Sequence, residues 1–441
     1  HLTVLSINRA DMQKTKTPRV KWYGTWYEAT GITAPQTHDL GAISADYDVA
    51  IMGAGLAGLS AALHLAELGA KVIVIESKEI ATGASGRNGG FCSAGWAAPE
   101  SRLINDVGPR HAQVLEALAI EGRDAMRARA FSPAYHAAMA KAGILNLTLS
   151  APEGHELKAK DLSRFIKGPR YLAGHIDPVG FHFHPLNFMR LLAQDCMAAG
   201  VTLIEGHEAQ CSLSPKAGYV NVTLGPTEHR FRALNIIWAT GGYGDTKPPM
   251  LSRFLLPIRT FISVTAPMST LLDEHIPTHL ALGDDRRAGN YFRRLPDGRL
   301  LWGMGISAVS KPSSETIART ALADIKAHLP DLAQAMQSQE IGFDFAWSGN
   351  MAYARHFMPY VGALGPRSFA LAGFGGHGMN TGFVAGRVLA QHLCGLQSEI
   401  ASFDAIKKAP VYGRLGLLAA EGHYRLRRIQ DRLAEYRVGG F

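Results

Sequence analysis

The sequence predicts an α/β chain: a Rossmann-like nucleotide-binding domain, discontinuous in sequence, joined to an α+β domain on a mixed β-sheet. Three observations carry this expectation. Near the start, "YDVAIMGAGLAGLSAALHLAELGAKVIVIES" reads as strand, tight glycine turn, helix and strand. In the middle, "RALNIIWATGG" is a buried strand that stops at glycines. Near the end, "SFALAGFGGHGMNTGFVAGRVLAQHLCG" returns to strand, glycine turn and helix. Residues 251–350 differ in character and read mainly as strands, so the nucleotide-binding segments are separated by an insertion. At 441 residues the chain exceeds the size at which one hydrophobic core keeps growing.

Taken in order, residues 1–45 are an N-terminal arm and turn-rich lead-in, and the apolar run in "HLTVLSINRADMQKTK" is too short for a signal peptide. Val49 to Met52 form a strand. Leu59, Leu63, Leu65 and Leu68 line a helix that Gly69 ends, and "KVIVIE" is a β-branched strand. Residues 110–145, rich in alanine, read as helical. A helix over about 186–198 and a strand over about 201–205 follow. "NYFRRLPDGRLLWGMGIS" is a hairpin turning at Asp297-Gly298, and one helix, around 315–329, interrupts the strand-rich stretch. The nucleotide-binding domain is assigned residues 46–105, 181–250 and 355–404. The substrate domain is assigned 106–180 and 251–354, and 405–441 a helical tail. That tail is a basic amphipathic helix expected to dock on the protein's own surface.

Composition narrows the function. An apolar content of 47% with 19% charged residues describes an ordinary globular protein. A net charge of +8 with no basic run interleaved with aromatics gives no reason to expect a nucleic-acid partner. Cys92, Cys196, Cys211 and Cys394 are scattered, which fits reduced thiols in a cytoplasmic protein better than disulfides or zinc. His182 and His184 in "FHFHP" have i, i+2 spacing and no nearby carboxylate cluster, so no metal site is expected. No apolar stretch reaches a membrane span of roughly 18 residues, so stable insertion is not expected. Glycine is another matter: the 47 glycines exceed average usage by about half and cluster in motifs.

Gly53-Ala54-Gly55-Leu56-Ala57-Gly58 is a G-x-G-x-x-G between strand and helix. Gly53 permits the turn, Gly55 lets backbone approach a pyrophosphate, and Gly58 lets helix and strand pack closely. The amides at Leu56 and Ala57 open the helix, whose N-terminus favours phosphate. Glu76 ends the next strand, where a carboxylate can accept both ribose hydroxyls of an adenosine, with Ser77 beside it. A second polar, glycine-dense stretch, "ATGASGRNGGFCSAGW", follows at once. It makes sense if the ligand extends past the adenosine. Ser85 and Asn88 can bind phosphate or ribityl oxygens, Gly86 and Arg87 belong to the same cradle, and Gly89, Gly90 and Phe91 lie against a flat ring. FAD is such a ligand. Glu208, Ala209, Thr240 and Gly241 are assigned to its adenosine side. Gly373, Gly375, Gly376, His377, Gly378 and Met379 form a turn whose helix N-terminus stabilises the charge the ring gains on reduction.

The chain resembles the D-amino acid oxidase/sarcosine oxidase superfamily, and within it the gamma-glutamylputrescine oxidase branch. "WYEAT", "DVAIMGAGLAGLSAALHLAELGAKVIVIE", "ATGASGRNGGF", "HPLNFMRLLAQDCMAAGVTLIEG", "YFRRLPDGRLLWGMG" and "GFGGHGMNTG" carry the resemblance over nearly the whole chain. It implies hydride transfer from an amine-bearing carbon to FAD, imine hydrolysis, and reoxidation by O2 with release of H2O2. Sarcosine oxidases tether FAD through a cysteine, whereas residues 345–359 contain none, so FAD is expected to be noncovalent. The partners expected are a small-molecule amine, either a gamma-glutamyl-polyamine or an amino acid, and O2 or an electron carrier; no oligomeric state is read. The flavin is the electron sink, and the protein's task is to orient substrate. Tyr291, Arg293, Trp302, Trp347, Tyr353 and His377 are candidate walls and anchors. Arg293 or Arg259 can clamp a substrate carboxylate. His377 either settles the reduced flavin or packs as a turn histidine. Two other readings stay open: a dehydrogenase passing electrons to a quinone or carrier, and a flavin-binding protein without turnover. The lack of a redox cysteine pair disfavours the disulfide reductases.

Overall fold

The computed structural model describes residues 24–149, 153–214, 219–225, 229–243, 249–286 and 289–439. Its strands are β1 Asp46–Met52, β2 Val72–Ile75, β3 Phe91–Cys92, β4 Lys141–Thr148, β5 Leu157–Lys158, β6 Ala173–His182, β7 Thr202–Ile204, β8 Glu208–Ser214 and β9 Tyr219–Gly225. They continue with β10 His229–Trp238, β11 Leu256–Thr265, β12 Ala281–Asp284, β13 Tyr291–Arg294, β14 Leu300–Ser307, β15 Phe343–Tyr353, β16 Tyr360–Gly365 and β17 Ser368–Ala372. The helices that matter below are α1 Trp26–Thr30, α2 Leu56–Glu67, α3 Pro109–Ala130, α4 Pro185–Ala198, α5 Ser314–His328, α6 Gly378–Leu393 and α7 Gly413–Gly439.

The β-branched runs Val49–Met52 and Val72–Ile75 are buried throughout, as strands covered on both faces must be. They sit in the first sheet, ordered β16-β17-β10-β1-β2-β7. From β17 to β7 every pairing is parallel, while β16 closes one edge antiparallel and β8-β9 form a meander onto the start of β10. The chain leaves β1 for β2 on one side, while β10 lies on the other. That arrangement opens a crevice beyond the carboxyl ends of β1 and β10.

The second sheet is mixed, ordered β15-β11-β14-β13-β12-β4-β6-β3, with only β12 and β4 parallel. The expected hairpin is present as β13 and β14. β3 follows the second glycine stretch directly yet pairs with β6 in this sheet. The glycine-rich loop thus bridges the two sheets.

Four expectations need correction. The alanine-rich stretch is α-helical through Ala130 and forms a 3-10 helix over Pro133–Ala138, but Lys141–Thr148 is strand β4 because its apolar residues cover the second sheet's core. Leu68 caps α2 with its side chain exposed instead of lining the buried face. The lead-in is more than turns: Thr25 and Glu28 form a capping box that starts α1, and Trp26 and Tyr27 are buried. Residues 1–23 of the expected arm lie outside the described residues. Short helices beyond the one expected also interrupt 251–350, at Ser269–His275 and Pro330–Ser338.

Candidate active site

The site begins where β1 turns into α2. Gly53 has φ +107, and a Cβ on it would lie 2.7 Å from the Ala239 carbonyl oxygen. A Cβ on Gly58 would lie 2.1 Å from the Gly53 oxygen. Neither position accepts a side chain, while a Cβ on Gly55 would meet only the Ser85 hydroxyl, at 3.2 Å. Gly55 caps α2 without a side-chain hydrogen bond, so the first-turn amides have no intrahelical acceptor. Leu56 N–H donates to Ser85 Oγ (2.9 Å). The Glu76 carboxylate accepts from Ala54 N–H (2.9 Å) and Lys78 N–H (3.0 Å), with the exposed Ser77 hydroxyl at 3.3 Å. Glu76 thereby stands beside the turn with acceptor capacity remaining.

α6 completes this floor. Gly382 faces Ala57, and Gly386 packs on Ser60 and Ala61. Because residues four apart on α6 meet residues four apart in the same direction on α2, the two helices run parallel. Both N-termini therefore reach the same side of the molecule. His377 caps α6 without a side-chain bond. Gly373, Gly375 and Gly376 before it all have positive φ, a conformation only glycine adopts freely.

The second glycine stretch lies against β15 and β13. A Cβ on Gly89 would meet the Tyr291 ring at 2.7 Å, and Phe91 packs edge-on to that ring. Trp347 Nε1–H donates to the Arg87 carbonyl (2.9 Å). Gly349 faces the Arg87 side chain, and a Cβ on Gly376 would lie 3.0 Å from Met351 Sδ. Tyr353 flanks Gly375 and Gly376. Tyr243, after Gly241 and Gly242, receives Asn350 N–H on its hydroxyl (2.7 Å) and packs on Gly83. The second glycine stretch, the turn after β10 and the glycines before α6, distant in sequence, thus meet along one strand, β15, while the G-x-G-x-x-G reaches them through Ala239 and Ser85.

Several predicted residues do other work. Ser85 and Asn88 serve the chain: Asn88 Nδ2 donates to the Ala84 and Ser85 carbonyls, and its Oδ1 accepts from Gly90 N–H. They shape the loop. Glu208 is exposed and Ala209 is buried in an apolar cluster on the meander. Glu205 is the carboxylate that turns toward the site's first loop, accepting from Ile80 N–H. Trp302 is no wall: it stacks on Phe292 in the second sheet's core and donates to Asp324 (2.8 Å). Arg259 is engaged by the Ser310 carbonyl.

Arg293 is the main departure. It is 3% exposed, and its guanidinium donates to Gly89 O (2.9 Å), Phe183 O (2.8 Å) and the Tyr27 hydroxyl (3.2 Å). Nη1 also reaches His182 Nδ1 at 3.3 Å. A fork spent on these acceptors has no donor aimed at substrate. It bolts the glycine loop to β6, β13 and α1. Sequence offers no signal for this, since Tyr27 and Arg293 are 266 positions apart.

The surrounding histidines follow from the same node. His182 Nε2–H donates to His279 O (2.8 Å), leaving Nδ1 to accept from Arg293. His184 caps α4: its Nδ1 accepts from Asn187 N–H (3.1 Å), and Nε2 lies 3.2 Å from the Thr30 hydroxyl. Burial first, and then the Arg293 charge, pulls each imidazole down to about 3. Both are neutral structural histidines. Burial lifts the Tyr291 phenol to about 12, and raises Tyr353 as well, so both are hydrogen-bond donors at neutral pH. His377 is enclosed by protein, which lowers its imidazole, yet its surface stays open; it borders the cleft and not the core.

Two polar atoms test whether a long dinucleotide fits. Thr240 Oγ1, where β10 ends, and Arg87 Nε are buried without a partner among the described residues. Each is the kind of orphan a ligand phosphate or hydroxyl satisfies. With two helix N-termini whose N-cap residues make no side-chain hydrogen bond, and these two unpartnered polar atoms beside them, the residues fit FAD. Among the described residues there is no group of three metal-ligating side chains.

Two parallel helices aimed at one backbone-lined cleft suit a flavin dinucleotide. The match to the family described as FAD dependent oxidoreductase (DAO) runs over residues 48–392, and the chain belongs to that family. It is 29% identical over 391 residues to the probable oxidoreductase OrdL of Haemophilus influenzae, covering 83% of this chain and 87% of that one. It is 27% identical over 384 residues to gamma-glutamylputrescine oxidoreductase of Escherichia coli, with the same coverage. Among solved structures, glycine oxidase from Geobacillus kaustophilus superimposes with a TM-score of 0.65 at 18% identity, covering 83% of this chain and all of that one. L-amino acid deaminase from Proteus vulgaris gives 0.65 at 16% identity, over 85% of this chain and all of that one. These structures share the fold. The protein is an FAD-dependent oxidoreductase.

Proposed function

We propose that the protein is an amine oxidase that oxidises a primary or secondary amine of the gamma-glutamylputrescine type. The observation that carries the reading is that the second glycine stretch, the turn after β10 and the glycines before α6 converge on β15, next to the G-x-G-x-x-G, which supports one long cofactor lying across them. Gly53, Gly55, Ala57, Glu76, Arg87, Gly89, Gly90, Thr240, Gly375, Gly376 and Gly378 would hold FAD, noncovalently, since residues 345–359 contain no cysteine. Bound there, FAD supplies a two-electron acceptor for the hydride of the amine-bearing carbon and is returned to its oxidised form by O2, which leaves as H2O2.

The chain's own residues orient and exclude water. Tyr291, Trp347 and Tyr353 wall the second-sheet side, with Tyr291 held by Thr260 at 3.3 Å. As neutral phenols the tyrosines donate hydrogen bonds and take no proton, so the amine must arrive unprotonated. The product imine, once released to water, hydrolyses to carbonyl and ammonia or amine. Of the two arginines considered as carboxylate clamps, Arg293 is buried and engaged by the protein's own acceptors.

Two measurements test this. Addition of gamma-glutamylputrescine under anaerobic conditions should bleach the flavin's visible absorbance, and aerobic turnover should consume O2 and release H2O2. Bleaching with electron transfer only to quinones or dyes would identify a dehydrogenase instead. A yellow protein that no amine bleaches would defeat both.

A further inference from the structure

The C-terminal helix α7 carries an apolar face that the protein does not cover. Its other face docks as expected: Leu417, Ala420 and Tyr424 pack on the Ile258–Ile306 cluster, and Glu421 is buried, accepting from Ser307 Oγ–H (2.8 Å) and Ala308 N–H (3.0 Å). At about 100° per residue, these four positions share one side of the helix. Leu415, Leu418, Leu426, Ile429 and Leu433 fall within an arc of roughly 80° on the opposite side. Their exposures are 74%, 62%, 53%, 54% and 55%. A satisfied surface helix does not repeat leucine on its solvent face over five turns.

The charges say what covers it. Arg414 and Arg425 flank this stripe on one edge, and Arg425 remains 70% exposed although it pairs with Glu421 at 3.2 Å. Arg432 holds the same register in sequence. A second copy paired antiparallel would bring these arginine edges against one another. The stripe is also too small for a dimer: about 27 Å long and ~10 Å wide, it offers roughly a third of the ~800 Å² per partner that a stable interface buries. Residues 1–23 are unsuited as well, with Arg9, Lys14, Lys16, Arg19 and Lys21 against a single Asp11. A leucine stripe edged by arginines is what a helix lying in the plane of an anionic bilayer surface requires.

We propose that α7 docks the protein peripherally on a membrane surface rich in anionic phospholipid, through Leu415, Leu418, Leu426, Ile429 and Leu433. No described helix is long and apolar enough to cross a membrane, and none is needed. The cluster under α7 includes Met351 and Tyr353, so the docked surface lies one helix diameter from the proposed substrate wall.

Flotation of the purified full-length protein with vesicles tests this. Vesicles with about 30% phosphatidylglycerol should carry the protein upward, whereas pure phosphatidylcholine vesicles should not, and salt of about 0.5 M should weaken binding severalfold. Leu418→Glu/Ile429→Glu, with unchanged circular dichroism, should lose at least about tenfold of the anionic-vesicle binding. Absence of flotation, or equal flotation of the double variant, would overturn the proposal. So would a dimer in sedimentation that the double variant dissociates, because the stripe would then belong to a second copy.

Discussion

Arg293 shows how much one buried charge organises. Its donors satisfy two carbonyls and a phenol, none of which has water to turn to, and each orphaned group costs about 1–3 kcal/mol. Arg293→Met should lower stability by about 2–4 kcal/mol, read as a fall in the denaturant midpoint, and should reduce flavin retention by loosening Gly89. Arg293→Lys should not restore either, because an ammonium cannot span the same acceptors. His182 and His184 make a separate prediction. Their folded values of about 3 lie below the unfolded value near 6.5. Between those limits the unfolded chain binds more protons, so stability is full above pH ~6.5 and falls with decreasing pH. The slope is about 1.4 kcal/mol per unit per histidine. Melting temperature against pH should show it, and His182→Gln should flatten it. The G-x-G-x-x-G and Glu76 were legible in sequence because their spacing is local. Arg293 and Tyr27 were not, because their meaning arises only from contact across the fold.

At the scale of elements, the parallel seating of α2 and α6 depends on a small-residue seam. A Cβ on Gly386 would lie 2.7 Å from both Ala61 N and Ser60 Oγ. Gly386→Ala gains about 1 kcal/mol of helix propensity, but backbone on a packed helix cannot yield, and overpacking costs about 1–3 kcal/mol. The net should be destabilising, and FAD should dissociate more readily as the two N-termini part. Gly422→Ala, where no atom lies within 4 Å of the added carbon, is the control and should stabilise. Both are read by thermal melts. The periodicity of α2, α4 and α6 was plain in sequence. β4 was not, because "KAGILNLT" follows the alanine-rich run "AYHAAMA" directly, and its partners β6 and β12 decide its state.

For the whole molecule, the cofactor and the fold should stabilise each other. FAD at about a hundredfold its dissociation constant adds ~2.7 kcal/mol, a rise of roughly 3 °C in melting temperature for a chain of this size. Thr240→Val removes a hydroxyl that lacks a partner within the protein. It should leave the cofactor-free melt unchanged and shrink the rise, with FAD binding weaker by about 5–30-fold, which corresponds to one lost hydrogen bond of ~1–2 kcal/mol. An equal rise in the variant would mean that Thr240 does not meet the ligand.

The sequence by itself determined the α/β class, the dinucleotide turn and the family, because each is written in short-range spacing that local backbone geometry enforces: glycine where φ is positive, β-branched runs where strands are covered twice. Only the tertiary structure decided which polar groups remain available to a ligand. Ser85, Asn88 and Arg293 turn inward to hold the chain, while Thr240 and Arg87 keep a buried atom unpaired. Hydrogen-bonding capacity is finite, and its allocation follows from which distant segments meet.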